Sequence, residues 1–494
     1  MKKVLLSAAA LMIGAVSFAQ VAGAPTSQVV SALPGAAATA NAGESIQNGN
    51  ANKVQVRQAG TNQSVYTNQN DGSTGLGGNL ARVFQTGDVS APSGIENAAE
   101  VLQSGAANQA TSIQQGDYNN AYTAQGQNDD ASSGNKARIQ QGNNEQAESN
   151  YAAIEQDGTN NQAQTLQRWD NNDAYTLQTG VANKSMIDQA AAPDGSDGHE
   201  AFSAQLGTNN QAAIAQSGAG GRNNASVRQW GTDNQSKQTQ TTNAVAGMTG
   251  NHGYVQQGAG SGLPLNASNT AYTTIFNEIQ DNINGIDAPL AFINQESFGA
   301  KAKQIQNGKL NEAGVWQTGG SADGINYVEQ VQDWGWNNDA ATLQTQVGVG
   351  DNYAKQYQAG DNNLANGLQF GNGHKALQDQ RGHRNSGLAS QHGSGNLLNQ
   401  HQRGNDNAAT SVQHGLGNAT LIVQRHGQSY VSSQNAGLGP YDLSAGGNQI
   451  DALQLGPNGD FGTDAINCDF EAPMNLDMDY TVPGFDLGDV CPDC

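Results

Sequence analysis

Residues 358–424 decide the fold, and they read QAGDNNLANGL QFGNGHKALQD QRGHRNSGLAS QHGSGNLLNQH QRGNDNAATSV QHGLGNATLIV Q in blocks of eleven. Every block opens on a glutamine, from Gln358 to Gln424. A glycine follows two residues later in each block, and an asparagine follows five residues later in every block but one. Self-similarity at a fixed period is the signature of a repeat architecture. The stretch therefore predicts one structural unit repeated every eleven residues.

The same phase runs through most of the chain. Starting at Gln103, it gives Gly105, Asn108 and the next glutamine, Gln114. Where a step is longer, the extra residues lie mostly between the glycine and the asparagine, where a turn tolerates insertion. With these inserts allowed, roughly 32 units fit between residues 47 and 454. The glutamines and asparagines that we expect to form ladders are Gln103, Asn108, Gln114, Asn119, Gln125, Gln156, Asn161, Gln167, Asn172, Gln178, Gln358, Asn363, Gln369, Gln380, Asn385, Gln391, Asn396, Gln402, Asn407, Gln413, Asn418 and Gln424. The expected turn glycines are Gly105, Gly116, Gly158, Gly180, Gly360, Gly371, Gly382, Gly393, Gly404 and Gly415.

An eleven-residue unit has the length of one strand and one tight turn. We count the glutamine that opens each unit as position zero, so that the glycine is at the second position and the asparagine at the fifth. Because strand side chains alternate, the fifth, seventh, ninth and eleventh positions share one face. Glycine at the second position suits the positive φ that a tight turn often needs. The sequence therefore predicts an all-β fold, a two-sided β-solenoid (β-helix) of stacked coils of about 22 residues, each built from two strand-turn units. About 16 such coils, spaced by about 4.8 Å, would make a rod of very roughly 75 Å.

The pattern leaves open which strand face is buried. The residue before each ladder glutamine is often apolar, as at Phe84, Leu102 and Ile113. Burying that row would expose the glutamines to solvent. In the competing interpretation glutamine, asparagine and alanine point inward, because identical amides repeated from coil to coil can hydrogen-bond along the axis.

The composition excludes an ordinary aliphatic core. Hydrophobic residues make up 36% of the 494 residues, against roughly 45–50% in a typical globular domain. Glutamine, asparagine and glycine number 55, 56 and 63. Low hydrophobicity with a net charge of −22 is typical of disorder, but a disordered tract has no reason to keep an eleven-residue phase. The acidic balance also argues against a general nucleic-acid binder, because the charge repels phosphate.

The pattern Gln-x-Gly-x-x-Asn-x-Ala-x-x-x-Gln resembles the curlin repeat, which is carried by the secreted subunits of bacterial curli amyloid fibres. The match covers most of residues 46–456. The resemblance implies inward-facing glutamine and asparagine, nucleated polymerisation into extracellular fibres, and roles in adhesion and biofilm matrix. As partners it implies further copies of the chain, other curli-like subunits and an outer-membrane export pore. The chain departs from the family in its length, its inserts and its acidic tail, which leaves open a single long solenoid or a minor, capping or anchoring component.

The chain divides into six segments. Residues 1–19 have a positive start, an apolar run and small residues before Gln20, which are the features of a Sec-type signal peptide and predict an exported, cell-surface or extracellular protein. No later segment is apolar enough to span a bilayer. The other segments are a flexible N-terminal segment (20–45), a first repeat block (46–240), irregular repeats with inserts (241–294), a second repeat block (295–456) and an acidic, cysteine-containing tail (457–494). The irregular segment is either a joint or a run of continuous coils with large inserts, and the tail either caps the last coil or acts as a sorting signal.

No part of the sequence points to catalysis. The three cysteines, Cys468, Cys491 and Cys494, all lie in the tail, where we expect a disulfide that leaves one thiol unpaired. A zinc site usually needs four ligands, and no histidine follows His426. Walker, zinc-protease and nucleophile-elbow motifs do not appear. We therefore expect no enzyme activity, no cofactor and no bound metal.

Two columns of basic residues come from the second repeat block. Arg381, Arg403 and Arg425 are 22 residues apart, and so are His392 and His414, so that a two-strand coil would stack each set. The columns predict a surface stripe that strengthens at acidic pH and binds an anionic polymer, a surface glycan or the acidic tail of a neighbouring chain. The alternative is a solvated face with spaced charges. A binding stripe would suit a different function, a monomeric β-solenoid adhesin.

Overall fold

A computed structural model of the chain describes residues 25–34, 36–87, 94–128, 131–142, 147–192, 198–219, 221–242, 248–258, 297–321, 324–435 and 443–455. Over these residues the chain forms two long sheets of 16 strands each. The helical structure described there is one short 3-10 turn, Gly72–Thr74. Most main-path strands have six to nine residues, and three have 10 to 12. Strands separated by turns are what the eleven-residue unit predicts.

The two sheets, sheet A and sheet B, take alternate strands along the chain. The main path of sheet A consists of Ala42–Asn48, Ser64–Asn70, Ala98–Ser104, Asn120–Gln125, Tyr151–Thr159, Asp173–Val181, Glu200–Thr208, Gly221–Thr232, Met248–Gln257, Glu312–Gly319, Asp339–Gln346, Leu364–Asn372, Ser386–Ser394, Ala408–Leu416 and Ser429–Gln434. The main path of sheet B consists of Lys53–Gln58, Leu80–Thr86, Gln109–Asp117, Lys136–Gln141, Gln162–Arg168, Lys184–Ala190, Gln211–Gly218, Gln235–Thr242, Lys301–Lys309, Asn326–Trp336, Asn352–Ala359, Lys375–Arg381, Leu397–Arg403, Ala419–Arg425 and Gln449–Gln454. Short strands join sheet A at Ser297–Phe298 and sheet B at Ala147–Glu148, and Gly60–Thr61 pairs separately with Gly94–Ile95.

Successive strands of each sheet pair in parallel, with equivalent repeat positions in register. In sheet A, Gln391 lies opposite Gln413, and in sheet B, Gln402 lies opposite Gln424. The chain therefore passes once through each sheet per coil. The prediction of an all-β, two-sided β-solenoid is confirmed.

Inserts leave the stack without breaking it. Gln69 bonds to Gln103, which lies 34 residues further along the chain. Strand Gln235–Thr242 pairs directly with Lys301–Lys309, across the whole irregular segment. That segment also contributes a strand of sheet A, Met248–Gln257. Of the two alternatives for this segment, continuous coils with large inserts is the one that the structure shows.

The two ends of the chain differ from the predicted segments or lie outside the described residues. The first strand starts at Ala42, so the repeats begin four residues before the predicted boundary at Ile46. The predicted signal peptide and the acidic tail with Cys468, Cys491 and Cys494 lie outside the described residues. The expected disulfide stays a prediction.

The space between the sheets is filled by small aliphatic side chains and by amides. Ala163 at the seventh position and Ile187 at the ninth position are both fully buried. The apolar row before the ladder glutamines points outward instead, and Phe84, Leu102 and Ile113 are only partly buried. The interpretation that buries this row and exposes the glutamines is therefore wrong.

Candidate functional site: amide ladders and two charged outer faces

The glutamine that opens each unit points inward and is bonded in three directions. Nε2 of Gln391 donates to Oε1 of Gln413 in the next coil at 2.9 Å, to the carbonyl of Lys375 in the facing sheet at 3.0 Å and to the carbonyl of Asn396 at 2.9 Å. These bonds satisfy an amide that would otherwise be costly to bury. All 13 predicted ladder glutamines are buried, namely Gln103, Gln114, Gln125, Gln156, Gln167, Gln178, Gln358, Gln369, Gln380, Gln391, Gln402, Gln413 and Gln424.

The asparagine at the fifth position forms a second ladder that runs the opposite way. The backbone N–H and Nδ2 of Asn385 donate to Oδ1 of Asn363 at 3.1 and 3.0 Å, and Nδ2 also reaches the carbonyl of Gly404 at 2.9 Å. The donor thus lies in the later coil, whereas in the glutamine ladder it lies in the earlier coil. The nine predicted ladder asparagines are all buried, namely Asn108, Asn119, Asn161, Asn172, Asn363, Asn385, Asn396, Asn407 and Asn418.

Sheet B contains an extra glutamine ladder that was not predicted from the sequence. Each of its glutamines lies two residues before a glutamine that opens a unit. It consists of Gln238, Gln304, Gln330, Gln356, Gln378 and Gln400, each donating to the next at 2.7 to 3.0 Å. Its signal in the sequence is the repeated Gln-x-Gln, because strand alternation turns both glutamines inward. The facing sheet makes room with glycine, since a Cβ on Gly387 would lie 3.1 to 3.2 Å from the amides of three glutamines.

Two histidines take the place of asparagine in its ladder. Nδ1 of His374 accepts the backbone N–H of Asn396 at 3.4 Å, and Nδ1 of His199 accepts that of Asn223 at 3.3 Å. An accepting Nδ1 requires a neutral ring. Burial lowers the pKa of both histidines from the usual 6.5 to about 4. In the sequence, this role is indicated at His374, because the block that starts at Gln369 has histidine where the other quoted blocks have asparagine.

The ten predicted turn glycines all adopt a left-handed backbone, with φ between +88° and +120°. They are Gly105, Gly116, Gly158, Gly180, Gly360, Gly371, Gly382, Gly393, Gly404 and Gly415. A Cβ on Gly393 would also lie 2.2 Å from the carbonyl oxygen of Gly415 in the next coil. The positive φ expected of them is present, but six of them are the penultimate residues of strands, namely Gly116, Gly158, Gly180, Gly371, Gly393 and Gly415. The close approach of successive coils adds a second reason for glycine.

Replacing Gly393 by alanine is expected to lower the free energy of unfolding by about 3 kcal/mol, because backbone strain costs about 1–3 kcal/mol and the methyl overlaps a carbonyl. Gly395→Ala is the matched control, since its φ is +66° and nothing lies within 4 Å of the added Cβ. Midpoints of guanidinium unfolding measure both losses. Equal losses in the two variants would contradict a role for the close approach.

The predicted arginine column lies on the outer side of sheet B. Arg381, Arg403 and Arg425 occupy matching positions in three successive coils. The Arg381 side chain is 53% exposed, donates to Oδ1 of Asp379 at 2.9 Å and lies 5.1 Å from the ring centroid of Tyr357. Asp379 therefore neutralises part of the column. Binding of an anionic polymer or glycan by these arginines stays a prediction.

The two histidines of the predicted stripe stack as expected but are not on the surface. His392 lies opposite His414 in register, with ring centroids 4.6 Å apart, and Phe370 stacks on His392 at 5.2 Å. The exposed fractions of His392 and His414 are 1% and 4%. Burial lowers the pKa of His392 to about 3. The prediction that these histidines strengthen a surface stripe at acidic pH is wrong, because the aromatic column is closed to solvent.

Charge is divided between the two sheets. We call the outer side of sheet A the acidic face, since its main-path strands hold eight carboxylates, Glu44, Glu100, Glu155, Asp157, Asp173, Glu200, Glu312 and Asp339, and two cations, Arg222 and Arg228. We call the outer side of sheet B the basic face, since its main-path strands hold 16 cations, Lys53, Arg57, Arg82, Lys136, Arg138, Arg168, Lys184, Lys237, Lys301, Lys303, Lys309, Lys355, Lys375, Arg381, Arg403 and Arg425, and six carboxylates, Asp117, Asp188, Glu329, Asp333, Asp379 and Asp451. Because the interior is filled by amides and small side chains, the charged groups lie at the alternate, outward positions.

Residues 25–28 lie across the acidic face. The backbone N–H of Gln28 donates to Oε2 of Glu100 at 2.6 Å, and the hydroxyl of Tyr151 bonds to the carbonyl of Pro25. Burial raises the pKa of the Glu100 carboxyl. The N-terminal segment that the sequence predicted to be flexible is therefore docked on the sheet over these residues.

Among the residues that the structure describes, no three histidine, cysteine, aspartate or glutamate side chains come together in a way that could hold a metal ion. No helix in that part of the chain is long and apolar enough to cross a membrane. Comparison of the sequence with protein-family models and with curated proteins finds no match.

Proposed function

We propose that the protein is a secreted structural subunit whose solenoids stack end to end into extracellular, curli-like amyloid fibres for adhesion and biofilm matrix. The observation that carries the proposal is the continuity of the glutamine ladder over the described residues, from Gln47 to Gln434 in sheet A and from Gln58 to Gln454 in sheet B. In the part of the chain that the structure describes, strand Ala42–Asn48 at one end of sheet A and strand Ser429–Gln434 at the other each have a neighbour on one side only. An open strand edge templates further pairing.

The polarity of the glutamine ladder makes the two ends complementary. Gln47 and Gln58 in the first coil donate to the second coil, and no donor from the described residues reaches their Oε1 atoms. The Oε1 atoms of Gln434 and Gln454 in the last coil accept from the preceding coil. Their Nε2 groups donate to the carbonyls of Ala419 and Ser429 and, within the described residues, to no further glutamine. Copies joined head to tail would continue the same donor-to-acceptor series, which is the bonding pattern of cross-β assemblies.

Leucine at Gln47 and Gln58 is expected to slow elongation of wild-type seeds at least about tenfold, because two acceptors at the growing end are lost and each hydrogen bond contributes about 1 kcal/mol. Leucine also removes the donors to the buried Oε1 atoms of Gln69 and Gln85, so the first coil should lose about 1–3 kcal/mol at each site, and rates are compared between folded monomers. Gln55→Leu, at an outward position of the same strand, is the control. Thioflavin fluorescence of seeded reactions gives the rates. Elongation of the double variant at the control rate would count against head-to-tail stacking.

A second candidate function is a monomeric adhesin that binds an anionic polymer or glycan. Its support is Trp336, which is 46% exposed and lines an open cavity of about 760 Å³ with Lys309 and Asp361. Half-exposed aromatic rings beside polar groups are typical of binding sites. Loss of polymer or glycan binding by monomeric Trp336→Ala protein, together with absence of fibre growth in the wild type, would favour this candidate.

A further inference from the structure

The distribution of charge between the two faces runs against the composition of the chain. The net charge is −22, yet on the basic face 16 cations face outward against six carboxylates. The acidic face has the opposite excess, eight carboxylates against two cations. Of these groups, Glu100, Asp157, Glu200 and Arg228 are buried, which leaves five carboxylates and Arg222 at least partly exposed. The two sheets enclose a single interior, so these faces lie on opposite sides of the solenoid. Each molecule is therefore a slab with one positive and one negative side.

Ion pairing within each face does not remove the excess. On the basic face Arg168 pairs with Asp188 at 2.6 Å, and Lys303 and Lys355 share Glu329 at 3.1 and 3.7 Å. One carboxylate can pair with two cations, as Glu329 does, but cations still outnumber carboxylates on that face by ten.

On the acidic face one arginine, Arg222, serves both Asp173 and Glu200, at 3.1 and 2.7 Å. Burial raises the pKa of Asp173 and of Glu155. Burial raises these pKa values because the carboxylate charge loses hydration, and Arg222 offsets this only in part at Asp173. The acidic face therefore carries negative charge that a positive surface would stabilise.

We propose that copies of the chain associate side by side, with the acidic face of one copy against the basic face of the next. The two faces share one spacing, since both present their side chains in columns that repeat with each coil, about 4.8 Å apart. Contact between two faces with the same spacing can bring opposite charges together over the coils from strand Ala42–Asn48 to strand Asp339–Gln346, where the carboxylates of the acidic face lie. This association goes beyond end-to-end stacking, because every single solenoid has both faces.

Such a contact is heterologous, because it joins two different surfaces of the same chain. Heterologous contacts that do not close into a ring produce open assemblies. The expected product is a ribbon or bundle of parallel rods, not a closed dimer. Residues 25–28 already occupy the acidic face near Glu100 and Tyr151, so the neighbour is expected to seat on the remainder, which includes Asp173, Glu312 and Asp339.

The electrostatic origin predicts a strong effect of salt. Charges at a protein surface are screened beyond about 10 Å at 0.1 M ionic strength and beyond about 3 Å at 1 M. Wild-type protein, residues 20–494, should associate laterally in about 20 mM NaCl and separate in about 1 M NaCl. Experiments at pH 8 keep Glu200 ionised, since its pKa lies at about 7.

Charge reversal on one face at a time tests the proposal. The basic-face variant combines Lys136→Glu, Lys184→Glu and Lys301→Glu. The acidic-face variant combines Glu44→Lys, Glu312→Lys and Asp339→Lys. Each variant alone should need at least about tenfold higher concentration to associate laterally than the wild type, although the two shift the net charge in opposite directions. An equal mixture of the two should associate as the wild type does.

Sedimentation velocity on freshly purified monomer measures lateral pairing even if the chain forms no fibres, and electron microscopy measures bundle width if it does. Lys→Gln at the same three basic positions keeps the fold, because Gln109, Gln162 and Gln211 occupy the same column. It should weaken association to a smaller degree than Lys→Glu. Wild-type association of either reversed variant at low salt, or failure of the mixture to restore association, would overturn the proposal.

Discussion

Leucine at Gln391, Gln402 and Gln413 together is expected to lower the free energy of unfolding by about 5 kcal/mol and to abolish fibre growth. Each of these amides bonds to the next coil and to a carbonyl of the facing sheet. Leucine has a similar volume and gains about 2 kcal/mol from burial, but each buried partner left without a bond costs about 1–3 kcal/mol. Thermal and guanidinium unfolding give the stability, and thioflavin fluorescence gives the growth.

The matched control replaces three outward glutamines, Gln162, Gln211 and Gln235, by leucine. These side chains are partly buried on the basic face and point away from the ladders. We expect the control to change stability by less than about 1 kcal/mol, as is usual for surface substitutions, and to keep growing fibres. Growth of the inner triple variant at the rate of this control would refute assembly driven by the ladders.

The second large effect is a loss of stability as the pH falls from about 6.5 to 4. His199 and His374 have pKa values of about 4 in the fold, and His392 about 3, against about 6.5 in an unfolded chain. The unfolded state therefore binds protons first, so stability is complete above pH 6.5 and is lost as the pH falls toward 4. A pKa lowered from about 6.5 to about 4 corresponds to about 3 kcal/mol for each of His199 and His374.

Four carboxyls work against this trend, because burial raises the pKa of Glu100, Glu155 and Asp173 as well as that of Glu200. Glu200 has a pKa of about 7 in the fold, so its protonation favours the folded state as the pH falls from 7 to 4.5. Four histidines act in the destabilising direction, since burial also lowers the pKa of His252 to about 4, and we expect them to outweigh the carboxyls. Urea unfolding midpoints at pH 7.5 and pH 4.5 measure the net change, which we expect to be a loss of several kcal/mol.

Asparagine is the residue that the ladder uses elsewhere, so His199→Asn with His374→Asn is expected to fold and to lose much of the pH dependence. His426→Asn is the control, since His426 is exposed at the end of its strand. The same fall in stability between the two pH values in the double variant and in the wild type would show that these histidines are not the cause.

The solenoid was predictable because one repeat spacing along the chain determines its strands, turns and coils. The spacing from Gln358 to Gln424 defines strand, turn and coil, and strand alternation then places every other side chain on one side. The left-handed turn glycines follow from the same period. The period does not show which of the two alternating rows of side chains is buried, because Gln391 and the residue before it recur with equal regularity. Hydrogen bonds between successive coils decide that question, and they exist only once the coils are stacked.

Other features depend on neighbours that no single unit reveals. The spacing predicted that His392 and His414 share a column, but their burial depends on Phe370 and on the closeness of successive coils. The extra ladder through Gln378 and Gln400 depends on a glycine in the opposite sheet. The two charged faces become visible only when each strand is assigned to sheet A or sheet B. In each case the missing information is contact across coils or across sheets.

The most direct test of end-to-end stacking is a concentration series of purified residues 20–494, with and without preformed seeds. Thioflavin fluorescence, electron microscopy and X-ray fibre diffraction are measured on the same samples. The structure predicts seeded, concentration-dependent growth of fibres with a reflection at about 4.7–4.8 Å. A β-rich species that stays monomeric for days at every concentration, with or without seeds, would contradict end-to-end stacking.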